Sequence, residues 1–185
     1  MWGHARFATM RGYFGIGVEG ISKPMNVGNL FRTAHAFGAS FVFAIAPAVN
    51  VKELYQSDTS QTDEHVPLYV FDNVKALQLP KGCTLVGVEL LDGATDLPSF
   101  SHPPRSAYVF GPERGSLSQP LIGLCSLLVK IPTRFSVNVG VAGAIVMYDR
   151  TVTRGRFAAR PQHAGGPLEP LEPHVHGTQK FRGRR

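Results

Sequence analysis

The stretch IPTRFSVNVGVAGA, residues 131–144, decides the fold, because it joins an apolar run to a segment with helical periodicity. Ser136 and Asn138 lie where that helix would begin, and both residue types are favoured at helix N-termini. Gly140 and Gly143 follow about one turn apart, where they permit close helix packing or contact with a ligand. A buried strand, a short polar loop and a helix in this order are typical of α/β proteins.

The same alternation of apolar runs and mixed segments extends back to residue 13. The predicted strands are residues 13–19, 40–46, 68–71, 84–90, 106–111 and 126–131. The predicted helices are residues 26–37, with Leu30, Ala34 and Phe37 in helical register, and residues 137–148, with Val137, Val141, Ala144, Ile145 and Tyr148 on one face. Because the strands are continuous apolar runs, we expect a mostly parallel sheet that is buried on both faces and flanked by helices.

Two further segments combine glycine with isolated polar residues directly after predicted strands. They are KPMNVGNLFRTAHAFGA at residues 23–39 and FGPERGSL at residues 110–117. Ligands of open α/β sheets gather at the loops that leave the carboxyl ends of the strands. Because three such loops are present, one shared site is a better explanation than three unrelated turns. The alternatives that Asn26 is a simple helix cap and that Arg32 is a simple surface residue stay open.

The 185-residue chain has a formal net charge of +6, and the basic excess is confined to one end. Residues 1–149 carry eleven basic and eleven acidic residues, whereas residues 150–185 carry eight basic and two acidic ones. We therefore predict a short N-terminal extension at residues 1–11, one domain at residues 12–150, and a flexible, basic, Pro/Gly-rich tail at residues 151–185. This distribution excludes a uniformly basic nucleic-acid binder and a disordered chain.

The cysteine and hydropathy patterns exclude several other classes of protein. Cys83 and Cys125 lack the spacing of a zinc site or a disulfide framework, so we expect a reduced, cytoplasmic protein without a metal. His174 and His176 in the tail are better explained as solvated side chains than as metal ligands. The sequence has no apolar run near the ~18 residues that a membrane-spanning helix requires and no signal-peptide pattern, so we expect no membrane association.

GIGVEG, residues 15–20, matches the glycine pattern of a dinucleotide-binding loop. Such a loop leads directly into a helix, and an acidic residue follows about 20 positions later. Here Pro24 follows and disfavours a helical conformation at Lys23, and GASFVFA at residues 38–44 supplies no carboxylate. We interpret GIGVEG as a glycine-rich strand that leads into a loop, and a nicotinamide-dependent oxidoreductase becomes a minor alternative.

Three segments, in this order and at these intervals, resemble the motifs of the SpoU/TrmH group of SPOUT-class RNA ribose 2′-O-methyltransferases. They are NVGNLFRTAHAFGA at residues 26–39, VFGPERGSL at residues 109–117, and KIP at residues 130–132 followed by SVNVGVAGAIVMYD at residues 136–149. The resemblance covers residues 13–150 and is strongest to the short, tRNA-modifying members. It implies an α/β fold with a C-terminal trefoil knot, a pocket for S-adenosylmethionine in the knot loops, and a homodimer.

The resemblance also implies which residues hold the cofactor. Backbone groups near Val88, Glu89, Gly111 and Ile131 would bind S-adenosylmethionine, with Ser136 and Asn138 beside them. Recognition through the backbone would explain why these segments are apolar and rich in glycine.

Catalytic roles are implied for Asn26, Arg32, Glu113 and Asn138, which match the motif positions of the family. A guanidinium stays protonated at physiological pH and is a poor general base, so Arg32 is expected to bind the phosphate beside the target ribose. Arg32, Arg114 and Arg134 are expected to contact RNA, and the basic tail is expected to act as an auxiliary RNA tether.

The predicted function is methyl transfer from S-adenosylmethionine to a ribose 2′-hydroxyl in structured RNA, with tRNA favoured. One alternative is an rRNA 2′-O-methyltransferase. Another is a knotted RNA-binding module without catalytic activity, which is suggested by the short loop between Ile131 and Ser136. Asn26, Arg32, Glu113 and Asn138 argue against that second alternative.

Overall fold

Seven strands form one sheet in a computed structural model that describes residues 12–50, 66–155 and 157. The strands are β1 (Tyr13–Glu19), β2 (Phe41–Ile45), β3 (Leu68–Phe71), β4 (Thr84–Val88), β5 (Thr95–Asp96), β6 (Arg105–Phe110) and β7 (Leu127–Lys130). The helices are α1 (Pro24–Ala36), α2 (Gln119–Leu124) and α3 (Val139–Arg154), and short 3₁₀ turns span Val74–Ala76 and Leu97–Ser99. The order of the strands across the sheet is β3-β2-β1-β6-β4-β7-β5.

Every pair of neighbouring strands is parallel, which confirms the predicted fold class. All carboxyl ends therefore lie at the same edge of the sheet, and the loops that follow β1, β4, β6 and β7 meet there. The central strands are buried along almost their whole length, in agreement with their continuous apolar sequences. The trefoil knot stays a prediction.

The GIGVEG segment has a structural explanation in the centre of the sheet. Gly15 and Gly17 lie in β1 opposite Phe41 and Phe43 of β2. A Cβ atom at either glycine would collide with the aromatic ring of its partner. These glycines are therefore required by packing within the sheet, as the interpretation of GIGVEG as a strand predicts.

Most predicted elements agree with the structure to within two or three residues at each end, but β5, α2 and the two 3₁₀ turns were not predicted. The strand β5 has only two residues, both exposed, and so has no apolar pattern. The helix α2 has six residues and begins after Ser118, whose side chain accepts a hydrogen bond from Leu121 N. In the sequence, α2 is marked by this N-cap serine and not by a periodic apolar face.

The buried face of α3 differs from the prediction. Val141 and Tyr148 were expected on the apolar, core-facing side, but they are 50% and 57% exposed. The buried side instead includes Gly143, and a Cβ there would collide with Leu30 of α1. Apolar residues lie on both sides of α3, so periodicity alone could not identify the side that packs against α1.

α3 continues to Arg154, past the predicted end of the domain, and Arg150 is only 1% exposed. Its guanidinium donates to the carbonyl of Pro103 at 2.7 Å, to the carbonyl of Pro104 at 3.1 Å and to the Tyr108 hydroxyl at 3.2 Å. These bonds attach α3 to the amino end of β6. Arg150 is therefore part of the folded domain.

The predicted N-terminal extension (1–11) lies outside the described residues, as does almost all of the predicted tail. Within the described ranges, no helix combines the length and apolar character needed to cross a membrane.

Candidate active site

A cavity of about 320 Å³ opens at the carboxyl edge of the sheet, between the loops that follow β1, β4, β6 and β7. Six residues predicted to hold the cofactor all line it: Val88, Glu89, Gly111, Ile131, Ser136 and Asn138. Asn26 and Glu113, predicted to be catalytic, line the same cavity. The structure thus brings together residues from the three segments that the sequence analysis connected.

Glu113 joins the loop after β6 to the start of α1. Its Oε2 accepts hydrogen bonds from Ser22 N at 3.2 Å and Ser22 Oγ at 3.0 Å, and its Oε1 accepts from Lys23 N at 3.1 Å. The N-cap residue of α1, Lys23, makes no side-chain cap of its own. A carboxylate from a distant segment therefore takes the place of a local cap, where the helix dipole also favours negative charge.

Asn26 continues this network into the third segment. Its Nδ2 donates to Glu113 Oε1 at 3.0 Å, and its Oδ1 accepts from Asn138 Nδ2 at 2.9 Å. Asn138 in turn caps α3, because its Oδ1 accepts from Gly140 N at 2.9 Å. The network from Glu113 through Asn26 and Asn138 to α3 orients both amides without ambiguity. Asn26 is both a contact between segments and a residue of the cavity wall, which answers the simple-cap alternative.

Two opposing effects act on the pKa of Glu113. Burial on its own would raise this pKa, but the hydrogen bonds from Asn26 and Ser22 outweigh burial and lower it. Glu113 is therefore ionised at neutral pH and acts as an acceptor only, which suits the four hydrogen bonds that it receives.

Two further carboxylates, those of Glu19 and Glu89, hold the loop of residues 111–118, which follows β6. Glu89, just after β4, accepts from Leu117 N at 2.9 Å through Oε2 and from Leu90 N at 2.9 Å through Oε1. Glu19, at the end of β1, accepts from Ser118 N at 2.8 Å and from Ser118 Oγ at 2.5 Å. Because β1 and β4 both pair with β6, the loop is held from both sides.

The same loop leaves no room for a side chain at its first residue. A Cβ at Gly111 would lie 3.0 Å from Leu117 N and 3.3 Å from Glu89 Oε2. Sequence reasoning assigned Glu89 a role through its backbone and did not identify Glu19. A carboxylate at the end of an otherwise apolar strand, here only 8% exposed, is the signal that could have found Glu19.

The three arginines predicted to contact RNA lie apart from the cavity lining. Arg32 is exposed on α1, Arg114 is exposed in the loop after β6, and Arg134 is exposed in the loop after β7. None is among the residues that line the cavity in the described part of the chain. Lys23 and Thr133, which the sequence analysis did not select, do line it.

The donor set of the cavity suits an organic ligand better than a metal. The wall combines apolar side chains, amides and backbone groups, and the carboxylates are already engaged in hydrogen bonds. Among residues 12–50, 66–155 and 157, no group of three or more His, Cys, Asp or Glu side chains could hold a metal ion. His174 and His176 lie outside the described residues.

Curated relatives carry names that describe tRNA methylation. The chain is 29% identical over 142 residues to a mouse tRNA (guanosine(18)-2'-O)-methyltransferase, covering 71% of this chain and 9% of that protein. It is 26% identical over 138 residues to the enzyme of the same name from Thermus thermophilus, covering 71% of each chain. The chain thus spans only a small part of the mouse relative.

Solved structures share the fold at low sequence identity. The SpoU methyltransferase AviRb from Streptomyces viridochromogenes, in complex with the cofactor AdoMet, matches with a TM-score of 0.67 and 22% identity, covering 80% of this chain and 63% of that one. An AdoMet-bound rRNA methyltransferase from Sinorhizobium meliloti matches with a TM-score of 0.67 and 20% identity, covering 77% and 57%.

A family model described as the SpoU rRNA Methylase family matches residues 14–148. The match begins at the second residue of β1 and ends in α3, so it includes the rest of the sheet and every segment that lines the cavity. With its parallel sheet and its three joined loops, the chain belongs to the SpoU methylase family.

Proposed function

We propose that this chain transfers the methyl group of S-adenosylmethionine to a ribose 2′-hydroxyl of RNA, and that tRNA is its substrate. The observation that carries the proposal is the cavity in which Glu113, Asn26 and Asn138 connect the three motif segments. Family membership supports methyl transfer to RNA. The names of the mouse and Thermus relatives favour tRNA over rRNA as the substrate. A cytoplasmic location is part of the same proposal.

The cavity fits the proposed cofactor in chemistry. Backbone groups of Val88, Gly111 and Ile131 would bind its polar parts, and Gly111 lets the backbone of Leu117 pack closely against it. When bound, S-adenosylmethionine supplies an electrophilic methyl: a bond forms from the ribose oxygen to the methyl carbon, the carbon–sulfur bond breaks, and the hydroxyl proton leaves to water or phosphate.

The chain's own residues contribute orientation more than acid–base chemistry. Glu113 is held as an ionised acceptor, and Asn26 is hydrogen-bonded between Glu113 and Asn138, so both side chains are already positioned before the reaction. A preorganised wall of this kind aligns the reacting groups and avoids their reorganisation in the transition state. The network is thus expected to support turnover by keeping the loops after β1, β6 and β7 in one arrangement.

Arg32 has the role of an RNA ligand in this proposal. It is exposed on α1 and does not line the cavity, which suits a contact with a phosphate outside the cofactor pocket. We expect Arg32→Ala to abolish methyl transfer and to leave S-adenosylmethionine affinity nearly unchanged. Isothermal titration calorimetry with the cofactor would show this, and a large loss of cofactor affinity in the variant would contradict the role.

We also propose that the protein is a homodimer and that α3 contributes to its interface. Val141 and Tyr148 are seven residues apart on α3, so they lie on the same side of the helix, and both are at least half exposed. Two large apolar side chains on the outer face of a packed helix suit a second copy of the chain. Analytical ultracentrifugation of Tyr148→Glu, compared with the unmodified chain, should show a shift toward monomer.

Mass-spectrometric mapping of ribose methylation tests the proposed reaction. tRNA and rRNA would be isolated from cells with and without the gene, and the purified protein would be incubated with each pool and labelled S-adenosylmethionine. We expect one tRNA position to lose its methyl group without the gene and to regain it in vitro. An altered rRNA position would correct the substrate, and no altered position in either pool would favour the RNA-binding module without activity.

A further inference from the structure

Phe135 is the most exposed large hydrophobic side chain among the described residues, at 76%. It lies in the loop between β7 and α3. Its neighbours Thr133 and Ser136 line the cavity, whereas Phe135 itself does not. The aromatic ring is therefore exposed on a loop that supplies part of the cavity wall, and it does not belong to the hydrophobic core.

Hydrogen bonds and a proline restrain the loop around Phe135. Thr133 N donates to the carbonyl of Ile131 at 2.7 Å, and Thr133 Oγ1 donates to the carbonyl of Phe135 at 2.9 Å. Pro132 restricts the backbone of the same turn. An aromatic ring presented by a restrained backbone loses little conformational entropy on binding, so it makes a good contact surface.

Arg134 is the only charged residue among residues 131–138, the loop between β7 and α3. Arg134 precedes Phe135 and is exposed, and Lys23 lines the cavity from the loop after β1. Residues 131–138 contain no acidic residue, and the carboxylate of Glu113 is engaged by four hydrogen bonds. An aromatic ring beside cationic side chains is the combination that binds single-stranded nucleic acid, in which bases stack and phosphates pair with cations.

We propose that Phe135 stacks on the unpaired nucleobase of the nucleotide whose ribose enters the cavity, and that Arg134 contacts the adjoining phosphate. This inference rests on the proposed function. The base is attached to the carbon next to the one that carries the reacting hydroxyl, so a ribose in the cavity places its base at the cavity mouth. Stacking on a side chain requires the base to leave the stack of a duplex, so the target nucleotide is unpaired when it is bound.

A single-tryptophan reporter tests the contact without any methyl transfer. The chain has one tryptophan, Trp2, so Phe135→Trp in a Trp2→Phe background places the only indole at the proposed stacking position. Tyr69→Trp in the same background is the matched control, because Tyr69 is 51% exposed on the edge strand β3 and does not line this cavity. Aromatic stacking tolerates any base, so an oligoribonucleotide of mixed sequence serves as the probe.

We expect the single-stranded probe to quench the fluorescence of the Phe135→Trp reporter, and the quenching to saturate as the probe concentration rises. The same sequence in a full duplex should require at least a tenfold higher concentration for the same quenching. The Tyr69→Trp reporter should not respond. Equal quenching by strand and duplex, or no quenching, would overturn the proposal. A change that follows protein concentration without RNA would place Phe135 in the homodimer interface and overturn it as well.

Substitutions at Phe135 then separate stacking from apolar contact. Base stacking on an aromatic side chain is worth enough for Phe135→Ala to weaken binding of the single strand about tenfold. Phe135→Leu should be equally weak, and Phe135→Tyr should restore affinity, while cofactor affinity stays unchanged in all three. Wild-type affinity in Phe135→Leu would refute stacking. Quenching in a protein that methylates no RNA would uphold stacking and refute the proposed reaction, so the two failures are distinguishable.

Discussion

At the scale of the residue, Asn26 is a position where a change of charge should disturb the candidate site. Its Nδ2 donates to Glu113 Oε1 at 3.0 Å, and it is only 7% exposed. Asn26→Asp keeps the shape and the acceptor for Asn138, but it puts a carboxylate against a carboxylate. We expect a loss of about 1–3 kcal/mol in the free energy of unfolding at pH 8, because Glu113 loses a donor and meets a like charge.

The loss should shrink as the pH falls. Two adjacent carboxylates share a proton, so the pair has a raised pKa in the folded state compared with the unfolded chain. The destabilisation is complete above that raised pKa and diminishes as the pH falls through it. Urea unfolding of both proteins at pH 8 and pH 5 measures the difference. Asn29→Asp, exposed on the same helix, is the control, and a pH-independent gap for Asn26→Asp would contradict the explanation.

At the scale of the element, the loop of residues 111–118 depends on Glu19 and Glu89 in different ways. Glu89 receives two backbone N–H groups, so in Glu89→Gln the new NH₂ group would face a donor. Glu19 receives one N–H and the Ser118 hydroxyl, and that hydroxyl can accept a hydrogen bond from an amide. We therefore expect Glu89→Gln to weaken S-adenosylmethionine binding about tenfold and Glu19→Gln to weaken it less.

Calorimetric titration of the cofactor into each variant measures this order. Asp96→Asn serves as the control, because Asp96 is 54% exposed in its side chain and pairs with Lys130 only at 3.9 Å, a surface contact of little energetic value. If the Glu89→Gln, Asp96→Asn and unmodified proteins bind S-adenosylmethionine with equal affinity, the proposed role of Glu89 in holding the loop of residues 111–118 is refuted.

The elements also show what the sequence could predict. Continuous apolar runs predicted the six longer strands. The carboxyl ends of parallel strands meet at one edge of the sheet, so the grouping of Glu113, Asn26 and Asn138 followed from the positions of their segments after strands. The buried face of α3 could not be predicted, since both of its sides are apolar. The contact between Glu19 and Ser118 joins residues 99 positions apart and leaves no local pattern.

At the scale of the whole molecule, a buried network at the amino end of the sheet joins α3 to β6 and makes stability depend on pH. His102 Nδ1 lies 2.6 Å from the Tyr108 hydroxyl, and His102 Nε2 lies 2.9 Å from Asp149 Oδ2. Because Arg150 donates to the Tyr108 hydroxyl, that hydroxyl donates to Nδ1, and Nε2–H donates to Asp149. The network is complete with a neutral imidazole.

Burial lowers the pKa of His102, and the hydrogen bond and charge of Asp149 only partly oppose this effect. Below about pH 6.5 the unfolded chain binds a proton at this residue that the folded chain does not yet bind. The contribution of His102 to the free energy of unfolding is therefore complete above about pH 6.5. It falls as the pH decreases toward the lowered folded pKa, by at most about 1.4 kcal/mol per pH unit. Urea unfolding between pH 8 and pH 5 should show this fall.

His102→Gln isolates the contribution of the imidazole, because its amide can donate to Asp149 and accept from Tyr108 but cannot titrate. We expect the variant to be less stable than the unmodified protein at pH 8 and to show a smaller loss of stability from pH 6.5 to pH 5. The two curves should therefore converge on the acid side. NMR titration of the His102 ring gives the folded pKa directly, and a value above about 6.5, or parallel stability curves, would show that the network does not hold the imidazole neutral.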